Sequence, residues 1–248
     1  MDIKIINLNK NKLLKTNKLT LEEQNKYFKE FLYQGLGLKI VKSDFALTNK
    51  IQDKIDYLCI DESYRIVIVE KRYGKDTRLI KSGLLYIDYI REHISELKML
   101  FNDSLGVDVT KNICFNPRLV LLTDSFMHYD MKAIENLPYN IEAINFRFID
   151  NDLVFVKTYQ NMQIEMDKTF KENELVQNLI MVFVNMGEDI SVWSNKNIIT
   201  VRKIKAISYI IVNNEELIVS LNNKQYIVKD GKDIKKLESK IEKVYDEN

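Results

Sequence analysis

The chain has 248 residues, of which 46% are hydrophobic and 10% aromatic, so it is long enough to bury one large core or two smaller ones. Its 37 basic and 36 acidic side chains leave a formal net charge of +1. This balance excludes a global basic field of the kind that attracts nucleic acid or an acidic membrane. Any surface that binds a polyanion must therefore be local.

The cysteine pattern and the apolar runs indicate the compartment. Cys59 and Cys114 stand alone, so neither a zinc site nor a disulfide framework is predicted, and both are expected to be small buried hydrophobes. No apolar run reaches the roughly 18 residues that span a membrane, and the N-terminus lacks the apolar core of a signal peptide. We therefore expect a cytoplasmic protein without a membrane partner.

A capping box begins the first predicted helix. The Thr20 hydroxyl can accept a hydrogen bond from the amide of Glu23, whose carboxylate can reach back to the Thr20 amide. Apolar residues follow at helical spacing, which predicts a helix over residues 21–33. Gly35 and Gly37 are expected to end it.

Strands and helices then alternate up to about residue 160. The polar "DESY" between two β-rich runs is typical of a hairpin, and an apolar residue every three or four positions from Leu79 to Phe101 predicts one long helix. This order favours an α/β fold with a mixed sheet flanked by helices. The predicted elements are strands at 38–41, 55–60 and 65–70, the helix at 79–101, a strand at 117–123, a helix at 127–137, and strands at 141–149 and 153–159.

A polar segment near residues 160–172 predicts a domain boundary, with one domain at 1–160 and a second at 161–248. The second is expected to be a smaller α+β domain. Its predicted elements are a helix at 172–186, strands at 190–193, 197–203, 206–213, 215–220 and 224–228, and a terminal helix at 233–247.

Two acids in "KIDYLCIDESYRIVIVEKRYG", residues 54–74, are the candidate catalytic pair. If the hairpin turn is centred on Ser63, Asp56 lies opposite Glu70 with the two Cβ atoms ~5 Å apart. Two like charges at that distance repel unless a cation lies between them. Mg²⁺ prefers hard oxygen ligands, and a metal-bound water can attack a phosphodiester.

The same residues have a second interpretation. Asp56 and Glu70 can be polar residues at the ends of two strands, each paired with a neighbouring Lys or Arg. A one-residue bulge in the hairpin would separate them entirely, because a shift in register changes which side chains meet. Both interpretations stay open at this point.

Three stretches resemble the PD-(D/E)XK nuclease superfamily, in its bacterial branch related to NucS-type endonucleases. They are "KIDYLCIDESYRIVIVEKR", "GLLYIDYI" and "NPRLVLLTDSFMHYDMKAIENLPYNIEAINFRF", and the similarity covers about residues 20–158. The resemblance implies a restriction-endonuclease-like fold and hydrolysis of DNA phosphodiesters with Mg²⁺ or Mn²⁺. Residues 172–248 resemble an uncharacterised small domain found behind such nuclease-like units.

The resemblance assigns roles residue by residue. Asp56 and Glu70 match the two metal-binding acids, and Tyr86 matches the tyrosine of the helix motif. An acid from the first helix normally completes the metal site, and Glu22 is the nearest match, with Glu23 and Glu30 as competitors.

Two positions depart from the family pattern. Arg72 stands where the family has its catalytic lysine, whereas Lys71 comes one position early, and Ser82 replaces the helix glutamine. Because side chains alternate on a strand, Arg72 shares the face of Glu70 and Lys71 points away. Losing one positioned electrostatic donor typically costs a factor of roughly 10² to 10³ in rate.

The functional prediction is therefore a nuclease-fold protein with weak or degenerate metal-dependent hydrolysis of DNA. Phosphate contacts are expected from basic residues beside the acid pair. The alternative is a non-enzymatic module that keeps the nuclease fold and binds DNA or protein, with the C-terminal domain recruiting a protein partner. The basic residues are Lys71, Arg72, Lys75, Arg78 and Lys81.

Overall fold

The computed structural model of the chain describes two large sheets that share no strand. This confirms an α/β fold with a mixed sheet flanked by helices, followed by a smaller domain around a second sheet. The described residues are 6–7, 12–13, 20–47, 53–74, 76, 78–149, 152–160, 164–166, 168–187, 189–203, 206–213 and 216–247.

The described strands and helices follow the predicted order closely. The strands are β1 (Ile6–Asn7), β2 (Lys12–Leu13), β3 (Lys39–Ala46), β4 (Lys54–Ile60), β5 (Arg65–Arg72), β6 (Cys114–Thr123), β7 (Ile141–Ile149), β8 (Asp152–Gln160), β9 (Ile164–Glu165), β10 (Ser191–Asn195), β11 (Ile198–Arg202), β12 (Ala206–Val212), β13 (Leu217–Leu221) and β14 (Lys224–Val228). The helices are α1 (Leu21–Glu30), α2 (Arg78–Glu92), α3 (Ile94–Leu105), α4 (Val107–Thr110), α5 (His128–Glu135), α6 (Lys168–Lys171), α7 (Glu174–Val184) and α8 (Gly231–Asp246). A single wider turn, Phe31–Gly35, continues α1.

The first sheet has the strand order β3-β4-β5-β6-β7-β8. Its three central strands, β5, β6 and β7, run parallel, whereas β3, β4 and β8 pair antiparallel with their neighbours. Because β5 and β6 are parallel, their carboxyl ends meet at the same edge of the sheet. The chain leaves β5 at this edge and enters α2.

Helices cover both faces of this sheet. On one face α2 and α3 pack against a core that contains Leu58 and Ile68. On the other face α1 places Phe28 against Val67 and Val69. The alternation of side chains along β5 accounts for this division, since its even-numbered residues face α2 and its odd-numbered residues face α1.

The prediction of one uninterrupted helix over 79–101 is wrong, because the chain breaks at His93 between α2 and α3. His93 has φ −111° and ψ 33°, outside the helical region. Its ring stacks on Tyr89 at 4.0 Å, and its Nδ1 lies 3.0 Å from the Tyr89 carbonyl oxygen. The break redirects the chain so that Leu97 and Phe101 still reach the core.

The second sheet is antiparallel from β10 to β14, and the two-residue β9 pairs parallel with β10. Its core lies between the sheet and two helices, α7 and α8. The predicted boundary between 160 and 161 adjoins residues 161–163, which lie outside the described residues, so the domain limits stay a prediction.

Polar contacts join the second sheet to the β4–β5 hairpin. The Asn195 amide donates to the Ser63 carbonyl at 3.3 Å and to the Asn112 carbonyl at 2.9 Å. The Arg202 guanidinium donates to Glu62 Oε2 at 2.7 Å. The two sheets are therefore held together by hydrogen bonds from side chains of β10 and β11.

The predicted capping box of α1 is confirmed and gives a testable stability effect. Thr20 Oγ1 accepts from the Glu23 amide at 3.3 Å, and Glu23 Oε2 accepts from the Thr20 amide at 2.8 Å. We expect Thr20→Ala to lower the free energy of unfolding by about 1 kcal/mol, measured by urea denaturation. Ser104→Ala, at an exposed position inside α3, is the control and should cost nothing measurable.

Candidate functional site

The β4–β5 hairpin carries the two candidate acids. The residue pair at its open end is Tyr57 with Val69, which is the register given by a turn centred on Ser63. Asp56 and Glu70 come directly after this pair, one on each strand. By alternation both belong to the face that carries Leu58 and Ile68, on the side of α2.

Asp61 fixes the turn that sets this register. Its Oδ1 accepts hydrogen bonds from the Ser63 amide at 3.0 Å, the Ser63 hydroxyl at 2.8 Å and the Arg65 amide at 3.0 Å. Tyr64 takes a positive φ of 62°. Such local side-chain hydrogen bonds stabilise tight turns, so the hairpin geometry follows from the sequence "DESY".

Arg72 connects the two acids. Its Nη1 lies 3.3 Å from Asp56 Oδ2, and its Nη2 forms an ion pair with Glu70 Oε1. The same Nη1 donates to the Lys71 carbonyl at 2.8 Å. One guanidinium therefore contacts three oxygens from three residues.

The two carboxylates differ in solvent exposure. Glu70 is fully buried, whereas the Asp56 side chain is 20% exposed. Asp56 Oδ2 also accepts from the Lys71 amide at 2.7 Å. Neither oxygen of Glu70 makes a well-formed hydrogen bond within the described residues, so its charge is balanced mainly by Arg72.

The pKa values of both acids reflect this environment. Burial, together with the nearby Asp56 carboxylate, raises the pKa of Glu70 to about 8, although Arg72 opposes the rise. Burial also raises the pKa of Asp56, against the hydrogen bond from the Lys71 amide and the charge of Arg72. The single positive charge of Arg72 thus does not fully compensate two carboxylates.

The Lys71 side chain lies on the opposite face of the sheet. Its Nζ is 4.4 Å from the centre of the Phe28 ring and donates to Asn25 Oδ1 at 3.1 Å. Burial lowers the pKa of this lysine. The sheet therefore lies between its ammonium and the carboxylate of Glu70.

The first helix does not bring Glu22 into a cluster of acids. No group of three or more His, Cys, Asp or Glu side chains in the described part of the chain could hold a metal ion. Glu23 is engaged with Thr20 in the capping box. The helix side chains that reach the end of β5 are instead Gln24, which accepts from the Tyr73 hydroxyl at 2.6 Å, and Asn25.

Ser82 and Tyr86 lie on the buried face of α2. Tyr86 is fully buried, and its hydroxyl donates to the Lys54 carbonyl at 3.1 Å. Burial and, next, the Glu70 carboxylate raise the pKa of Tyr86. Tyr86 is therefore a buried hydroxyl close enough to Glu70 for the carboxylate to influence its pKa.

Sequence reasoning missed Asp76. Its Oδ2 lies 3.8 Å from Arg72 Nε and 2.8 Å from Arg78 Nη2. The hydrogen bonds from Arg78 lower the pKa of Asp76 to about 2. Asp76 has no motif that would identify it, because it follows the strand in a connection whose path depends on the fold.

These atoms permit a test of the metal that the resemblance implies. The oxygens of Asp56, Glu70 and the Lys71 carbonyl are hard ligands of the kind that Mg²⁺ binds. However, the Arg72 guanidinium contacts all three, and arginine keeps its positive charge in proteins. A divalent ion at the same place would meet that charge at contact distance. As arranged, the residues do not fit a divalent metal.

Comparison with known proteins finds a similar curated protein of Haemophilus influenzae, described as an uncharacterized protein. The two are 22% identical over an alignment that covers 84% of this chain and 79% of that protein. No family model and no solved structure matches the chain. Separately, none of the helices in the described ranges has the length and apolarity needed to traverse a bilayer.

Proposed function

We propose that this chain is a non-enzymatic DNA-binding module that retains the architecture of a PD-(D/E)XK nuclease. The observation that supports this most directly is the position of Arg72 on both Asp56 and Glu70. Metal-assisted hydrolysis needs an ion that activates water, and the guanidinium takes the place where the acids would hold that ion. A cytoplasmic location and a protein partner for the C-terminal domain are part of the same proposal.

The proposed DNA contacts lie beside the acid pair, at the start of α2. Arg78 and Lys81 are exposed there, and Arg78 also forms an ion pair with Asp76. Exposed cations that face phosphates provide binding without sequence preference. Of the other predicted basic residues, Lys71 contacts Asn25 and Arg72 contacts the two acids. Lys75 lies outside the described residues.

The binding prediction is tested with labelled single- and double-stranded DNA by fluorescence anisotropy. We expect binding in EDTA, with no requirement for Mg²⁺, and weaker binding as salt rises. Arg78→Ala and Lys81→Ala should each reduce the salt slope by about 1, because each removes one phosphate contact. Lys235→Ala, at an exposed position on α8, is the matched control. If the protein binds neither single- nor double-stranded DNA, the proposal is contradicted.

Metal-dependent hydrolysis is the second candidate, and one observation favours it. Glu70 is fully buried, and its oxygens make no well-formed hydrogen bond to the described residues, which is costly for a carboxylate. A bound dication in place of Arg72 would remove that cost. In a plasmid-nicking assay with Mg²⁺ or Mn²⁺, the proposed function predicts the same background for the native protein and Asp56→Ala. Nicking by the native protein alone would establish the second candidate instead.

A further inference from the structure

A cation already contacts the acid pair, and it belongs to the chain itself. The three oxygens around the Arg72 guanidinium come from two strands: Asp56 Oδ2 from β4, and Glu70 Oε1 and the Lys71 carbonyl from β5. Convergent carboxylate and carbonyl oxygens form the usual environment of an oxygen-preferring dication. Here the same environment surrounds a guanidinium.

The Arg72 side chain lies between the two acids and solvent. It is 23% exposed, whereas Glu70 beneath it is fully buried. Its Nε lies 3.8 Å from Asp76 Oδ2, so a further carboxylate stands at the outer side of the guanidinium. Removal of the guanidinium would therefore bring solvent closer to the buried carboxylate of Glu70.

We propose that Arg72 is the resident cation of this site and that its guanidinium closes a latent site for a divalent, oxygen-preferring ion. The ligands of the latent site are the carboxylates of Asp56 and Glu70 and the carbonyl of Lys71, completed by water. The inference rests on the proposed function, since the same guanidinium explains the absence of hydrolysis there.

The physical basis is the cost of leaving two acids close together without a cation. Truncation of one partner of a buried ion pair leaves an uncompensated buried charge. With Arg72 removed, Asp56 and Glu70 can both stay ionised only if another cation lies between them, and an ion with charge +2 would supply that charge. In the native protein the ion would have to displace Arg72 first.

The test is a titration of the full-length protein with Mn²⁺ alone, followed by the loss of the free-ion electron paramagnetic resonance signal. We expect Arg72→Ala to bind one Mn²⁺ at least tenfold more tightly than the native protein. The double variant Arg72→Ala/Glu70→Gln should lose this gain. Lys235→Ala, which removes an exposed cation on α8, should bind Mn²⁺ like the native protein.

Equal Mn²⁺ affinity of the native protein and a folded Arg72→Ala would overturn the proposal. Arg72→Gln, which keeps more of the side-chain volume, replaces it if Arg72→Ala does not fold. A third measurement starts from the native protein, whose Tm should not rise with Mn²⁺. A rise that Asp56→Ala abolishes also overturns the proposal. None of these measurements contains DNA, so their outcome does not depend on whether the protein binds DNA.

Discussion

Arg202→Ala is expected to lower the free energy of unfolding by about 3 kcal/mol or more, because it removes a buried cation that pairs with Glu62 and Asp61. Arg202 is only 4% exposed. Its Nη1 lies 2.7 Å from Glu62 Oε2 and 3.7 Å from Asp61 Oδ2, and its Nη2 donates to the Leu36 carbonyl at 3.2 Å. The substitution therefore removes the hydrogen bonds that link β11 to the β4–β5 hairpin and to the end of the first helix.

Urea denaturation of the two proteins measures the difference. Arg78→Ala is the matched control, since Arg78 forms an exposed ion pair with Asp76 and such pairs contribute about 0 to 1 kcal/mol. The double variant Arg202→Ala/Glu62→Gln should recover part of the loss, because it also removes one uncompensated charge. A loss below 1 kcal/mol in Arg202→Ala would show that the contact between the sheets does not depend on this arginine.

Features governed by local sequence were predictable. The capping box of α1 needs only Thr20 and Glu23 at the right spacing, and the structure has it. The hairpin register follows from Asp61 and the four-residue "DESY" turn, and the paired residues are those of a turn centred on Ser63. Each of these depends on side chains within a few positions of one another, so no knowledge of the whole fold is required.

The break at His93 was not predictable from periodicity. Apolar residues continue at helical spacing through it, because α2 and α3 both bury one face against the same core. The signal that marks the break is a contact of the His93 ring with Tyr89, one turn earlier. A pattern of hydrophobicity carries no information about such a contact.

The sequence predicts only part of the role of Arg72. Strand alternation predicts that it shares a face with Glu70. Alternation does not predict that its side chain folds back over the strand end and contacts Asp56 and Glu70 together. The structure contains part of both interpretations, because the two acids contact the guanidinium of one basic neighbour, Arg72.

The contacts between the sheets have no sequence signal. Arg202 and Glu62 are 140 positions apart, and each alone resembles an ordinary charged residue near the end of a strand or in a turn. Their pairing arises when the second sheet packs against the hairpin of the first. For the same reason Asp76 could not be identified beside Arg72 before the path of the β5–α2 connection was known.

Glu70 should make the stability of the protein fall as pH rises from about 4.5 to 8. Its ordinary pKa is 4.5, and burial with the nearby Asp56 raises the pKa of Glu70 to about 8 in the folded protein. Between these values the folded protein binds more protons than the unfolded chain. The contribution of Glu70 is therefore fully present below pH 4.5 and is lost as pH rises to 8, at up to about 1.4 kcal/mol per pH unit.

Glu70→Gln isolates this effect, because glutamine has a similar shape and does not titrate. We expect the variant and the native protein to have similar free energies of unfolding near pH 5, and the variant to be more stable by about 2 to 5 kcal/mol at pH 8.5. Glu135→Gln, which removes an exposed carboxylate paired with Lys132, controls for the change in net charge. If the ion pair with Arg72 outweighed burial, Glu70→Gln would instead lose stability relative to the native protein as pH rises. The sign of the difference between pH 5 and 8.5 therefore decides which of the two forces governs the buried acid.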